Sequence, residues 1–329
     1  MRYKRLIAVV LCFVLLLSGC SNFSGKRGLT YTDTLFDTVI SVQILDPADE
    51  EVIKGVEKLC KEYDTKFSKN NKDGEIYKIN HAKGKAVKVS DDTITLIKKA
   101  LYYSNLSNGI FDITIGAVSN LWDFKEAKKV PSSKKINAAR RTVNYKNIIL
   151  SDDTVMLSNK KTQLDVGAIA KGYIADRIKD YLLDEGIKHA VINLGGNVLT
   201  IGTKPDGSEY NIGIQKPFNE TGEPITSVKL TDKSIVTTGI YQRYFKKGSK
   251  IYHHVLDPKT GRPCKTNLYS VSIITDSSLT ADALSTICCL MGYKDALDLI
   301  NRLDNVDAVF ITKNNDIRYS ANFLIKQRK

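Results

Sequence analysis

Hydrophobic and polar positions in this chain repeat at two periods, and the two are interspersed along its length. Thr38-Val-Ile-Ser-Val-Gln-Ile44 is rich in β-branched residues and alternates, which predicts a strand. From about Ala48 to Tyr63, Val52, Val56, Leu59 and Tyr63 recur at helical spacing and predict a helix. Ser90 and Asp91 are capping residues for a second helix with Ile94, Ile97 and Leu101 on one face. A third helix, near Ala168 to Glu185, carries Ile174, Ile178, Tyr181 and Leu182, and Gly186 supplies its stop. Ala190-Val-Ile-Asn-Leu194 reads as a buried strand, broken by Gly195-Gly196 before a second strand from Val198 to Ile201. Tyr269 to Thr275 is another strand, and Ala281 to Met291 and Lys294 to Leu303 are helices. A terminal hairpin turns at Asn314-Asn315 between Val309 and Tyr319. Strands clustered beside long helices, without regular βαβ alternation, argue for an α+β fold.

The N-terminus changes the picture of where this fold works. Arg2, Lys4 and Arg5 precede an apolar run from Leu6 to Leu17, a secretory signal too short to be a spanning helix with these flanks. Cys20 follows Leu17-Ser-Gly in the manner of a bacterial lipobox. Residues 1–19 are therefore expected to be a lipoprotein signal peptide, and Cys20 the lipidated first residue of the mature chain. An ordinary signal peptide with a chance cysteine is the alternative. Residues 20–30, small and polar with a basic pair, would be a tether, and 31–329 the working domain. The expected location is the extracytoplasmic face of the cell membrane, held by the lipid.

Composition is that of a globular protein, 42% hydrophobic with no low-complexity tract, so a sizeable core can form. The formal charge is +13, but the lysines look scattered in sequence. No basic-aromatic stripe marks nucleic-acid binding, and nucleic acid is excluded as the expected partner. The surplus fits solubility plus attraction to anionic lipid or phosphate-bearing ligands. Cys60, Cys264, Cys288 and Cys289 show no disulfide framework and read as buried free thiols. Zinc with His253 and His254 has no Cys-x-x-Cys to support it.

The chemistry-bearing stretches are few. In Thr280-Ala-Asp-Ala-Leu-Ser-Thr286, helical spacing would put Asp282 and Thr286 on one face, one turn apart. Such oxygens suit Mg²⁺, which leaves room for phosphate and water; the plainer reading is a helix N-terminal turn with a well-placed carboxylate. Leu164-Asp-Val-Gly-Ala-Ile-Ala-Lys-Gly172 similarly combines a carboxylate, small residues and a lysine. Asn108-Gly-Ile-Phe-Asp-Ile-Thr-Ile-Gly116 places a Gly, an aromatic and a carboxylate after a helix, or else is a helix end entering a strand with Phe111 in the core. His253-His254 precedes a Pro-Lys-Thr-Gly turn; the plainer reading is exposed histidines, but an imidazole can take a hydroxyl proton near neutral pH. Gly195-Gly196 could cradle phosphate but has no following helix, and reads more simply as a bulge.

Taken together, these stretches resemble the ApbE family, the FAD:protein FMN transferases, from about Phe36 to the C-terminus. The resemblance rests on Phe36-Asp-Thr38, Phe67-Ser68 with Glu75-Ile76 and Ile79-Asn80, Gly109-Ile-Phe-Asp112 and Leu121-Trp122. It continues through Leu164 to Tyr173, Asn193-Leu-Gly-Gly196, Thr238-Gly239, His254 to Pro263 and Ala281-Asp-Ala283 with Thr286. It implies an ApbE-like α+β fold, mainly antiparallel sheets packed with helices. It also implies Mg²⁺ held by Asp282, Thr286 and the Ala168 carbonyl. FAD, the substrate, would be lined by Phe36, Ile110, Phe111, Asp112, Asp165, Lys171 and the Leu256 backbone. The resemblance makes His254 the proton-transfer residue, with Asp257 close enough in sequence to orient it or replace it. Asn70 stands where the family often has an aromatic against the flavin, and Thr238 where a Ser is usual.

The implied reaction is attack of an acceptor Thr or Ser hydroxyl on the FMN-side phosphorus of FAD, expelling AMP. Mg²⁺ and Lys171 would stabilise the leaving phosphate. Acceptors would be exported or membrane-anchored electron-transfer proteins. Two further readings compete: an FAD pyrophosphatase, with water in place of the hydroxyl, and a non-catalytic flavin-binding lipoprotein.

Overall fold

A computed structural model of the chain describes residues 28–323, apart from 125, 127, 220 and 221. The expected signal peptide, Cys20 and all but the last residues of the expected tether lie outside the described residues. Leu29 and Thr30, counted with the tether in sequence, already belong to the first strand.

The chain opens with the hairpin β1 (Leu29–Leu35) and β2 (Thr38–Ile44), followed by α1 (Glu50–Lys66) and α2 (Glu75–His81). Next come β3 (Val87–Lys88), α3 (Asp91–Leu106), α4 (Gly116–Ser119) and α5 (Ser133–Arg140). Then follow β4 (Ile148–Leu150), β5 (Thr154–Leu157), α6 (Ala170–Asp184), β6 (Ala190–Leu194) and β7 (Asn197–Ile201). The middle of the chain is strand-rich: β8 (Tyr210–Gln215), β9 (Pro224–Leu230), β10 (Ser234–Gly239), β11 (Tyr244–Lys247), β12 (Lys250–His253), β13 (Leu256–Asp257) and β14 (Arg262–Pro263). It ends with β15 (Leu268–Thr275), α7 (Ser278–Met291), α8 (Tyr293–Ile300), β16 (Asp307–Thr312) and β17 (Ile317–Tyr319).

Eight of these strands form one antiparallel sheet in the order β1-β2-β6-β7-β10-β15-β16-β17. In β2 the period-2 pattern does what it predicts: Ile40, Val42 and Ile44 are buried, while Val39 points to solvent. The central strands are buried on both faces. Val236, Ile273 and Phe310 join the main core, while Ile235, Ile274 and Val309 join a second cluster under the β8–β9 hairpin. Their apolar runs are continuous for that reason. Helices α1, α6 and α7 cover the main-core face, with α7 packed on α6, β10 and β15. The fold is thus α+β with mainly antiparallel sheets, as the strand and helix pattern predicts. Among the described residues, no helix is long and apolar enough to cross a membrane.

Two expectations need correction. Gly195 and Gly196 are not a bulge: both have positive φ (65° and 96°) and form the two-residue turn of the β6–β7 hairpin, across which Leu194 pairs with Asn197. Glycine is needed at the first of them, because a Cβ there would meet the Thr38 side chain at 2.4 Å. The stretch after Asn108 does not enter a strand either. It turns through Asn108 and Gly109, both at positive φ, and runs irregularly into α4.

Candidate active site

A cavity of about 1510 Å³ is lined by the tips of hairpins, the end of α1, the start of α6 and one side of α7. That exceeds the ~300–1,000 Å³ of a typical small-molecule site and leaves room for a dinucleotide beside a second reactant. All the site residues expected from sequence that fall among the described residues line it. Phe36, Asn70, Ile110, Phe111, Asp112 and Asp165 come from the first half of the chain. Ala168, Lys171, His254, Leu256, Asp282 and Thr286 come from the second.

The start of α6 meets α7 on one wall. Gly172 allows the approach: a Cβ there would stand 2.3 Å from the Ser278 carbonyl oxygen. Asp282 is buried, its Oδ2 accepting from the Gly172 backbone N–H at 2.9 Å and its Oδ1 lying 3.8 Å from Lys171 Nζ. Thr286 follows one helical turn on, its Oγ1 3.4 Å from Thr238 Oγ1, which also pairs with Ser285 Oγ at 2.7 Å. Ala168 lines the same cavity two residues before α6 begins. One buried carboxylate with a hydroxyl one helical turn on is a hard-oxygen pair, and it fits Mg²⁺, which takes its other ligands from water and phosphate. Among the described residues no three His, Cys, Asp or Glu side chains gather, as a closed transition-metal site would require.

A second charged group was not read from the sequence. Lys69 donates to Asp165 Oδ2 at 2.7 Å and to Ser119 Oγ at 2.9 Å, and Ser119 also donates to Asp165 Oδ2 at 2.6 Å. Burial alone would raise the Asp165 pKa, but the Lys69 ammonium and these hydrogen bonds hold it below the usual carboxylate value. The ion pair therefore sets a fixed charge pattern on the cavity wall. Its signal was the lysine directly after Phe67-Ser68, which placed a cation inside a motif.

His254 is half-buried on the cavity wall, directly after β12. Its Nδ1 lies 3.3 Å from the Arg243 carbonyl oxygen. A carbonyl can only accept, so the proton sits on Nδ1 and the Nε2 lone pair is free. Burial, aided by the positive charge of Arg243, pushes its pKa down to about 3. His254 is thus a neutral imidazole at physiological pH, competent to receive a proton. His253 is buried too, contrary to the plainer reading of exposed histidines.

Phe36 occupies the β1–β2 turn with Asp37, both in the left-handed region at φ 54° and 63°. Two non-glycine residues there cost about 1–3 kcal/mol each, a strain that marks ligand-facing turns. The turn is held by Asp64 Oδ1, which accepts from the Phe36 N–H at 2.8 Å, and by Arg243 Nη2, which donates to the Asp37 carbonyl at 2.9 Å. Asp112 lines the cavity, but its carboxylate braces the wall. It accepts from Thr114 N and Oγ1 and from Tyr145 N. Asn70 is exposed at the cavity and stacks no ring. Asn197, not singled out in sequence, lines the cavity fully buried, and its Nδ2 has no partner among the described residues.

The sequence profile of the ApbE family matches residues 36–310, most of the chain. The chain belongs to the ApbE family. An FAD:protein FMN transferase of Klebsiella pneumoniae (strain 342) is 35% identical, the match covering 91% of this chain and 93% of that protein. One of Treponema pallidum (strain Nichols) is 30% identical over 98% of this chain and 95% of its own length. Among solved structures, the ApbE protein of Thermotoga maritima superposes with a TM-score of 0.84 at 29% identity, covering 92% of this chain and all of that one. The flavin transferase ApbE of Vibrio cholerae gives 0.79 at 26% identity, covering 91% of this chain and 99% of its own. The cavity described above is therefore built on the ApbE fold.

Proposed function

We propose that this chain is an FAD:protein FMN transferase that moves FMN from FAD onto a Thr or Ser hydroxyl of an acceptor protein and releases AMP. One observation carries the reading: a neutral His254, three cations (Lys69, Lys171 and Arg243) and a buried Asp282 beside Thr286 line one dinucleotide-sized cavity. The substrate's diphosphate needs cations, and the attacking hydroxyl needs a base; the cavity has both.

In the proposed reaction the acceptor oxygen bonds to the FMN-side phosphorus as the anhydride P–O bond breaks. AMP leaves with the bridging oxygen, and His254 Nε2 takes the hydroxyl proton. Asp282, Thr286 and the Ala168 carbonyl would hold Mg²⁺, which when bound neutralises phosphate charge. Lys171 adds positive charge at that wall. Phe36 and the residues from Ile110 to Asp112, with Asp165 and Leu256, would position FAD. A second reading, hydrolysis of FAD to FMN and AMP, draws support from Asn70: a polar, exposed side chain there leaves that side of the cavity open to water.

The test is incubation with FAD, Mg²⁺ and exported acceptor candidates, following acceptor mass and free AMP together. A mass gain of one FMN per acceptor, lost with EDTA and in Asp282→Ala, is expected. AMP and FMN accumulating with no acceptor gain would favour hydrolysis. Unchanged turnover and metal titration in Asp282→Ala would remove the metal assignment.

We further infer from Leu17-Ser-Gly-Cys20 that the mature protein is lipid-anchored on the extracytoplasmic face of the membrane, where its acceptors would be exported or membrane-anchored electron-transfer proteins. Cys20→Ser should leave an unprocessed precursor or release the protein to the medium. A correctly cleaved Ser variant retained in the membrane would contradict the anchor.

A further inference from the structure

The described residues of 123–141 and 243–265 fold into one lobe beside the cavity. They share the cluster of Val118, Trp122, Ile136, Phe245 and Leu256. Arg140 Nη1 donates to the Lys259 carbonyl at 2.8 Å, and Arg262 Nη2 to Ser133 Oγ at 2.9 Å. Among their described residues these two stretches contain thirteen Lys and Arg against three Asp and Glu. Lysines that look scattered along the sequence are thus brought together by the fold on one lobe, while the remaining described residues carry no positive surplus.

The tip of the β11–β12 hairpin, residues 246–251, is exposed throughout. Phe245 and Tyr252 stack at 5.3 Å, with Phe124 5.9 Å from Phe245, and fix the hairpin to the lobe. Lys246, Lys247 and Lys250 stand in solvent, with no ion-pair partner among the described residues. Lys247 lies directly opposite Lys250, and like charges so placed weaken a hairpin. The fold therefore gains nothing from this arrangement. FAD does not account for it either, because the cavity's own cations are Lys69, Lys171 and Arg243, and these three lysines do not line it. The hairpin is flanked in sequence by Arg243 and His254, whose backbones join at 3.0 Å. A group brought to His254 must therefore arrive beside the hairpin's root.

We propose that this basic lobe docks the acceptor protein by an acidic surface flanking the hydroxyl to be modified. This rests on the transferase reading above. Rim charges of this kind act through encounter rate and salt dependence, leaving the chemistry unchanged.

The test uses the full processed chain and its K246E/K247E/K250E variant with FAD and Mg²⁺. Two soluble acceptor fusions carry the same Thr-bearing segment, one flanked by Asp and Glu, the other by Lys. The wild-type chain should modify the acidic fusion with kcat/KM about tenfold higher, a preference that fades with salt. The variant should lose or reverse it, with FAD affinity and acceptor-free AMP release unchanged. Equal rates on both fusions by both proteins would overturn docking and leave the transferase reading standing. AMP release with no mass gain on either fusion would overturn both. A variant that loses binding to phosphatidylglycerol vesicles while keeping the acidic preference would make the lobe a lipid-facing surface and sink the proposal.

Discussion

At the residue scale, His254 is the position whose chemistry is easiest to test. Its Nδ1 is committed to the Arg243 carbonyl, and burial beside Arg243 depresses its pKa to about 3. A base is active when unprotonated, so His254, in the role proposed for it, keeps its capacity throughout the range where an ordinary histidine, near 6.5, would lose it. The acid limb of kcat/KM for transfer should therefore be flat from pH 8 down to about 5. His254→Ala should slow transfer by about 10²–10⁴ while FAD binds with nearly wild-type affinity. A limb centred near 6.5 would mean that the imidazole titrates freely. Full transfer in the Ala variant would move the base elsewhere, and Asp257 is the nearest candidate in sequence. Its carboxylate, however, accepts from Lys259 N and Thr260 Oγ1 within its own turn.

At the scale of elements, the long periodic segments were legible and their ends were not. The helix expected from Ala281 begins at Ser278, because Ser277 caps it and a distant carboxylate, Asp176 on α6, accepts from Ser278 N at 2.7 Å and Leu279 N at 3.0 Å. No local pattern announces a cap supplied from another helix. That clamp, with the close approach at Gly172, sets where Asp282 stands. The short strands β8 to β14 also escaped notice. Only their pairing and the clusters beneath them, Ile214 with Val228 and Phe245 with Tyr252, make them strands. The residues that local motifs single out come to line one cavity. Lys69, Ser119 and Arg243, which also line it, were not singled out because their contacts exist only across chain separations, such as the 96 residues between Lys69 and Asp165. The charge was misjudged for the same reason: scattered in order, it is gathered by the fold.

At the scale of the whole molecule, two histidines held as neutral groups, His253 buried and His254 half-buried, tie stability to pH. His253 is enclosed with its Nδ1 unpartnered among the described residues, and burial lowers its pKa to about 4, while His254 lies lower still. In the unfolded chain both would titrate near 6.5. Below that pH the unfolded state binds protons that the folded state refuses, so stability is fully present above about 6.5 and falls as pH drops toward 4. The His253 contribution approaches about 1.4 kcal/mol per pH unit in that window, and half-exposed His254 adds less because solvent screens it. Asp165 and Asp92 are held below the ordinary value, and the raised Asp112 and Asp176 would act in the opposite sense. Denaturant midpoints should therefore fall between pH 7 and 5, and His253→Asn should flatten the slope even where it lowers the stability at pH 7. A wild-type midpoint constant from pH 7 to 5 would show that the folded protein accommodates the charged rings, and the neutral-imidazole account of His254 would lose its footing with it.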